Sequence, residues 1–407
     1  MKSNRYSALI VCLVILLSGY QTNGFAEENI ELHGFVSQGY LKSTENNYLG
    51  NSKKGSYEFN EIGINIASAL TDDLRFGIQF FSRDMGDFGN NELIVDWAQL
   101  DYNWRDWLAF RAGKIKMPFG LYNRKRNADM LRTAVIFPQS VYPEGMRDFV
   151  VGLYGASFHG TKRIGPLGYL DYELFGGTFN LPDDTMYIRE LIYRHRNTLE
   201  ILNLDYTIVD LSIEHIEGGM LIWNAPFPGL RIGVSDFTGE GEAVLEDATI
   251  DVSFDEISAL SLEYDFKNIT FAAEYMSMKI STEVYAEINS KIIKLLKNHA
   301  RLEGWYAEIA WQATDWFALG TSYGEYYPNA KDKDGSELVE IDKTNEDYFG
   351  WQKDLTISTK FNISEYWCVK FETHFINGLG LASLEDNPAN KTEEDWVLFA
   401  VKTSLNF

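Results

Sequence analysis

Apolar and polar residues alternate with a period of two in many separate segments of the chain. Leu74, Phe76, Ile78 and Phe80, for example, are separated by Arg75, Gly77 and Gln79. Similar segments lie at 62–67, 305–312, 355–361, 367–375 and 397–407. Successive side chains of a β-strand point to opposite faces of the sheet, so this period indicates strands rather than helices. The pattern predicts an all-β protein.

Alternation alone fits both a soluble β-sandwich and a membrane barrel, and the lengths of the connections distinguish them. Short turns are predicted at 70–73, 102–106, 161–168, 224–229, 265–268, 313–315 and 362–365. Longer polar connections are predicted between them, at 42–56, 84–91, 117–146, 179–213, 238–252, 282–303, 328–347 and 377–394. Strict alternation of short turns and long loops is typical of outer-membrane barrels. We therefore predict a transmembrane antiparallel β-barrel of about 16 strands, with both chain ends in the periplasm.

The N-terminus has the features of a secretory signal peptide. Lys2 and Arg5 precede an apolar run of ten residues, Ala8–Leu17, and small residues occupy positions 24 and 26. Such a run is too short to span a bilayer as a helix, and no later stretch reaches the roughly 18 apolar residues that a span needs. We expect residues 1–26 to be a signal peptide and 27–407 to be the mature barrel; an uncleaved anchor is the alternative.

Composition agrees with a barrel and disfavours other classes. The 26 Phe, 23 Tyr and 10 Trp suit the aromatic girdles of such proteins. The net charge of −23, which becomes −25 without Lys2 and Arg5, argues against nucleic-acid binding. Cys12 and Cys368 form no disulfide framework, and the six histidines lack metal-ligand spacing. No nucleophile-elbow or phosphate-loop motif occurs in the sequence, so we expect no enzyme activity, cofactor or metal.

Three stretches of sequence resemble Gram-negative porins, and most of all the phosphate-selective porin-like group. They are Leu32–Tyr40, Arg111–Tyr122 and Phe137–Tyr142. The resemblance implies an outer-membrane location, contact with lipopolysaccharide and a homotrimer. It also implies that the terminal aromatic residue, Phe407, is a signal for the barrel assembly machinery. In such porins the connection after the fifth strand folds into the barrel and narrows the pore; here this connection is 117–146.

Basic residues are concentrated around the start of this connection. Between positions 111 and 132 they are Arg111, Lys114, Lys116, Arg124, Lys125, Arg126 and Arg132, against the single acid Asp129. We predict that Arg111, Arg124, Lys125, Arg126 and Arg132 line the constriction, with Arg75 and Arg83 on the adjoining wall. Positive charges in a narrow pore raise the local concentration of anions. The alternative is that the cluster faces lipopolysaccharide or solvent at the outer rim.

Two groups of charged residues on the barrel wall each allow two interpretations. Lys114 and Lys116 share the parity of the lipid-facing positions, so either they lie above the membrane or Gly113 marks a bulge that resets the face. Glu263, Glu308 and Glu372 have lumen parity. They either oppose the basic wall and create a transverse field, or are simply solvated side chains.

Three outer segments are assigned no binding role. We expect Asp332–Gly335 to be a turn rather than a calcium loop, and Lys291–Lys297 to be a short amphipathic helix. We expect an acidic, solvent-facing loop at Glu240, Glu242, Glu246, Asp247 and Asp251; bridging of this loop to lipopolysaccharide by divalent ions is the alternative.

The function that these expectations favour is passive diffusion of small hydrophilic solutes or ions, with a preference for anions set by the basic constriction. A barrel with a plugged pore that serves as an adhesin or structural anchor is the first alternative. A secreted soluble β-protein is the second.

Overall fold

A computed structural model describes residues 30–86, 88–180, 205, 207–288, 291–341 and 343–407. The predicted signal peptide lies outside these residues, as does most of the predicted connection 179–213. Within the described ranges, no helix has the length and apolar character needed to cross a membrane.

Sixteen antiparallel strands close into a single barrel, in which each strand pairs with its neighbours in sequence and the last pairs with the first. The predicted fold class is thereby confirmed. The strands are β1 Ile30–Ser43, β2 Asn60–Ala69, β3 Leu74–Met85, β4 Phe88–Arg105, β5 Leu108–Lys116, β6 Gly152–Arg163, β7 Tyr169–Asn180, β8 Ile208–Asn224, β9 Leu230–Leu245, β10 Ala248–Phe266, β11 Ile269–Ile288, β12 Lys291–Thr314, β13 Phe317–Tyr327, β14 Gln352–Ser364, β15 Trp367–Gly378 and β16 Asp395–Asn406.

The two faces of the wall have opposite character. On β16, Phe399 points outward and is 46% exposed, whereas the next residue, Ala400, faces the lumen and is fully buried. Large apolar side chains are exposed around the outside, among them Leu100, Phe158, Leu221, Leu260 and Phe371. A closed sheet leaves no unpaired strand edge in lipid, and an outward apolar belt matches acyl chains. The protein is therefore an outer-membrane barrel.

The short turns lie at the rim that also carries the start of β1 and the end of β16. Exposed aromatic residues surround this rim, including Trp104, Trp107, Tyr169, Phe266, Trp316 and Tyr366. They form the kind of aromatic girdle that lies at the membrane–water interface. We call this rim the turn rim.

Three of the predicted long loops, at 84–91, 238–252 and 282–303, are wrong. β3 ends at Met85 and β4 begins at Phe88, β9 and β10 are separated by two residues, and β11 pairs with β12 as far as Ile288 with Lys291. The predicted helix Lys291–Lys297 is likewise wrong, since it belongs to β12. The predicted acidic loop is mostly strand, with only Glu246 and Asp247 in the turn.

The error at 238–252 has a physical cause. Beyond the membrane, the outward face of a strand meets water, so its polarity is the reverse of that within the membrane. On β10, Ile250, Val252 and Phe254 are buried inside, while Asp251 and Ser253 point outward. The polar outward residues made this region resemble a loop in the sequence.

The long connection between β5 and β6, residues 117–151, lies inside the barrel; we call it the inward loop. It contains the 3-10 turns Asn123–Lys125, Asp129–Leu131 and Glu144–Met146, followed by the short helix α1, Arg147–Val150. Its residues Met117, Phe119 and Tyr142 are at most 2% exposed. Another connection contains the helix α2, Ser336–Ile341. There Asp332 accepts hydrogen bonds from the backbone N–H groups of Glu337 and Leu338, at 3.0 and 2.9 Å.

Candidate functional site: the pore constriction

Lumen-facing side chains on several strands hold the inward loop. The backbone N–H of Leu121 donates to Glu274 on β11 at 2.9 Å. On β15, Glu372 accepts from the backbone N–H groups of Val135 and Ile136, at 2.8 and 2.9 Å. The beginning and the middle of the loop are thus tied to separated parts of the wall, and the loop spans the lumen between them.

Two glycines allow the inward loop to lie directly against β12 and β13. A Cβ atom added at Gly304 would overlap the backbone carbonyl of Ser140, and one at Gly324 would lie 2.7 Å from the Ser140 hydroxyl. Any side chain at position 304 would therefore push the loop backbone away from the wall.

Arg83 and Arg126, both predicted to line the pore, are buried together with Glu144. The Glu144 carboxylate lies 3.0 Å from Arg83 and 2.7 Å from Arg126, and the two arginines are 4% and 5% exposed. Burial by itself would raise the pKa of Glu144, but the charges of Arg126, Arg83 and Arg147 outweigh it and lower this pKa to about 2. The cluster joins the loop to β3, and Arg147 adds a contact to Asp96 on β4 at 3.2 Å.

Arg111 and Arg124 are also paired with acids. Arg111 lies 2.6 Å from Asp101 and 3.2 Å from Glu173, and Arg124 bonds to Glu173 as well. The Arg124 side chain nevertheless keeps 30% of its surface exposed. It lines a cavity of about 920 Å³ next to the turn rim.

The walls of this cavity are more acidic than basic. Its acids are Asp72, Asp73, Asp106, Asp171 and Glu173, and its basic residues are Arg105, Arg124 and His159. The turn-rim end of the lumen therefore presents negative charge, even though the inward loop is rich in basic residues.

Lys125 differs from the other predicted constriction residues. Its side chain is exposed and forms no hydrogen bond or ion pair with any residue that the structure describes. Arg132 is bound to Asp129 at 2.9 Å. Arg75 lies 3.7 Å from Glu31, and both side chains are more than half exposed near the turn rim. Lys125 is thus the one predicted basic residue whose charge no described acid compensates.

The three predicted acids all face the lumen but have different surroundings. Glu263 accepts hydrogen bonds from Arg231 at 2.7 Å and from the Tyr122 hydroxyl at 2.5 Å. Glu372 is occupied by the inward loop. Within the described part of the chain, Glu308 has no hydrogen-bond or ion-pair partner, and the charges of Glu372 and Arg132 lie near it.

Sequence reasoning missed Glu274, the central anchor of the loop. It is 3% exposed and, besides the Leu121 amide, accepts from Ser261, Tyr142 and Tyr306 at 2.5, 2.6 and 2.7 Å. Its place on the lumen face follows from strand parity. Its bond to Tyr142 joins residues 132 positions apart, which no local pattern reveals.

His374 has no free nitrogen for base catalysis. Its Nδ1 lies 2.8 Å from Asp354 and its Nε2 lies 2.9 Å from Glu372. Because both ring nitrogens face carboxylates, this histidine joins Asp354 on β14 to Glu372 on β15, which holds the inward loop.

The structure also settles the position of Lys114. Gly113 adopts φ +125, but the pairing of β5 with β4 and β6 continues through it without a register shift. Lys114 keeps its outward parity and donates to the Val95 carbonyl at 2.6 Å. Lys116, at the end of β5, instead turns inward and donates to the Arg124 carbonyl at 3.1 Å.

Among the described residues, one group of side chains has metal-ligand character. Potential ligand atoms of Glu214, His215 and Glu240 lie within 4.8 Å of one another, and all three residues are exposed. Exposed acidic groups commonly lie this close without an ion, so the group is assigned no metal.

Comparisons with known proteins agree on the fold. No family model and no curated protein matches the chain. OmpF of Salmonella typhi is 13% identical, with 93% of this chain and 97% of that chain covered and a TM-score of 0.56. The outer-membrane channel DcaP of Acinetobacter baumannii is 11% identical, with 94% and 100% covered and a TM-score of 0.53.

A third solved structure, an anion-selective porin from Comamonas acidovorans, is 10% identical, with 93% and 99% covered and a TM-score of 0.51. At these identities the likeness shows a shared fold, that of the Gram-negative outer-membrane porins. Membership of the phosphate-selective subgroup stays a prediction.

Proposed function

We propose that this protein is an outer-membrane porin through which small hydrophilic solutes and ions diffuse passively. The observation that supports this most directly is the polar cavity of about 920 Å³ inside the barrel, which extends from the turn rim to Arg124 on the inward loop. Charged side chains line the lumen while apolar ones face outward, as a water-filled channel requires.

We further propose that the channel prefers anions and that Lys125 contributes most to this preference. The charges of Arg83, Arg111, Arg124 and Arg126 are compensated by nearby carboxylates. An uncompensated positive charge in a confined lumen raises the local concentration of anions. Glu308, which has no hydrogen-bond or ion-pair partner among the described residues, is an acid of the same lumen and when ionised would lower this preference.

The reversal potential of the purified channel in a salt gradient tests this proposal. Lys125→Gln should shift the reversal potential toward cation preference, because it removes the uncompensated charge. Arg75→Gln is the matched control: it removes a basic residue that is exposed near the turn rim, where solvent screens it, and should cause a smaller shift. Equal reversal potentials for the native channel and Lys125→Gln would refute the role of Lys125.

A plugged barrel that acts as an adhesin or anchor is the second candidate, because the inward loop is tied to the wall on both sides of the lumen. Single-channel recording of the native protein separates the two candidates. A steady open current supports the channel, whereas its absence across a range of voltages supports a plugged barrel.

The assembly state and partners form part of the same proposal. We propose a homotrimer inserted by the barrel assembly machinery, in contact with lipopolysaccharide, with Phe407 as the assembly signal. The mass of the detergent-solubilised protein, measured by light scattering, tests the trimer.

A further inference from the structure

Three lysines form a row across neighbouring strands inside the barrel. Lys360 on β14 is the direct register partner of Lys370 on β15, which is the partner of Lys402 on β16. Their exposures are 7%, 0% and 1%. Like charges directly opposite each other destabilise a sheet, and a buried charge is costly unless it is paired. A nearby anion is therefore needed to compensate the charges of the three lysines.

The anion against this row is the carboxylate of Asp129, on the inward loop. It lies 3.0 Å from Lys370 and 3.6 Å from Lys402, and Arg132 lies 2.9 Å away. The Ser404 hydroxyl donates to its other oxygen. Burial would raise the pKa of Asp129, but the charges of Lys370, Lys402 and Arg132 hold this pKa well below its usual value. The site therefore contains an ionised carboxylate.

Loop carbonyl groups and one wall acid complete the surroundings of the row. Lys370 donates to the carbonyls of Asp129 and Ala134, at 2.6 and 3.0 Å. Lys360 donates to the carbonyl of Met130. Lys402 lies 2.5 Å from Glu61 on β2. Three lysines and Arg132 thus face two carboxylates, and one of these carboxylates belongs to the loop rather than to the wall.

We propose that the lysine row is a binding site for small carboxylate anions, and that Asp129 occupies it from within the same chain. The contact is autoinhibitory, because a free carboxylate solute can bind the row only when the Asp129 carboxylate is absent or displaced. The ligand class follows from the group that is seated there: a planar carboxylate held by lysines and a hydroxyl. A role of this site in solute transport rests on the proposed channel function, whereas the binding of carboxylates to the lysine row does not.

Chemical rescue of the Asp129→Gly variant tests the site. This substitution removes the carboxylate and leaves room for formate. Thermal unfolding in detergent is compared in sodium chloride and in sodium formate at equal ionic strength. We expect formate to raise the midpoint of Asp129→Gly saturably by a few degrees, since a ligand that binds only the folded state stabilises it. The native protein should show no such formate effect.

Three controls give the result its specificity. Asp129→Asn keeps the space filled by an amide, so formate should not stabilise it. Adding Lys370→Met to Asp129→Gly should abolish the formate effect, because it removes the central cation. Asp334→Gly removes an exposed loop carboxylate and should behave like the native protein in both salts.

Each possible outcome either supports or refutes the proposed carboxylate site. If Asp129→Gly unfolds at the same midpoint in both salts, or fails to fold even in formate, the row is not a carboxylate site. If phosphate stabilises the variant more than formate does, the assigned ligand class is wrong. These measurements need no ion current, so a channel that proves closed would overturn the proposed function without affecting this result.

Discussion

Lys125 and Arg126 are adjacent in the sequence but have different surroundings. Arg126 is 5% exposed and binds Glu144 and the Tyr142 carbonyl inside the protein. Lys125 is exposed and unpaired in the part of the chain that the structure describes. Of these two basic residues, Arg126 therefore holds the inward loop in place through its partners, whereas Lys125 makes no such contact with a described residue.

Glu144→Gln should therefore destabilise the protein strongly. It leaves Arg83 and Arg126 buried without their carboxylate, and breaking a buried ion pair in this way costs about 3–5 kcal/mol. Urea unfolding of the purified barrel measures the loss.

Glu308→Gln is the matched control for this prediction, because it makes the same chemical change at a lumen acid that has no partner among the described residues. It should leave the free energy of unfolding nearly unchanged. Equal losses in the two variants would show that Glu144 does not lock the inward loop.

Among the elements, the strands follow a simple rule and the inward loop does not. A strand that faces lipid on one side and water on the other must alternate, so its period is visible in the sequence. The path of the inward loop instead depends on wall positions where a glycine leaves space for the backbone of the loop. Gly304 on β12 is such a place, as it provides room for the Ser140 carbonyl.

Gly304→Ala should displace the loop toward the barrel axis. The added methyl group overlaps backbone atoms, and such overpacking typically costs about 1–3 kcal/mol. The narrower lumen should also lower the single-channel conductance, which recording in planar bilayers measures.

Gly176→Ala on β7 provides the comparison, because the nearest atom to its added Cβ is 3.8 Å away. Its stability and conductance should match those of the native protein. If Gly304→Ala also matches the native protein, the loop does not depend on close contact with β12.

At the scale of the whole molecule, closure of the barrel depends on the pairing of its two terminal strands. The backbone groups of Phe407 and Gly34 exchange two hydrogen bonds, both of 2.9 Å. The Phe407 ring lies over Gly34, where a Cβ atom would overlap it. The last residue thus extends the seam that removes the edges of the sheet.

Deletion of Phe407 should reduce the fraction of protein that assembles into a barrel severalfold, because the seam loses two hydrogen bonds and its terminal aromatic ring. Heat-modifiable migration of the membrane fraction on gels measures this fraction. Phe407→Tyr keeps the ring and the backbone and should assemble normally. An unchanged yield after the deletion would contradict a role for this residue in assembly.

The approximate number of strands, the positions of the short turns and the face on which most side chains lie could be predicted from the sequence. The number of strands follows from the count of connections, and the face on which a side chain lies follows from the two-residue repeat within its strand. The β9–β10 hairpin was predicted to be a loop because the polarity of the two faces of a strand reverses where the strand extends beyond the membrane.

Which lumen charges are compensated by a partner depends on the tertiary structure. Strand parity places Arg83 and Lys370 on the lumen face, but not at the height of a particular partner. Their carboxylates lie 61 and 241 positions away, on the inward loop. Electrostatic compensation depends on distances of a few ångströms across the barrel, and the path of one folded loop fixes those distances.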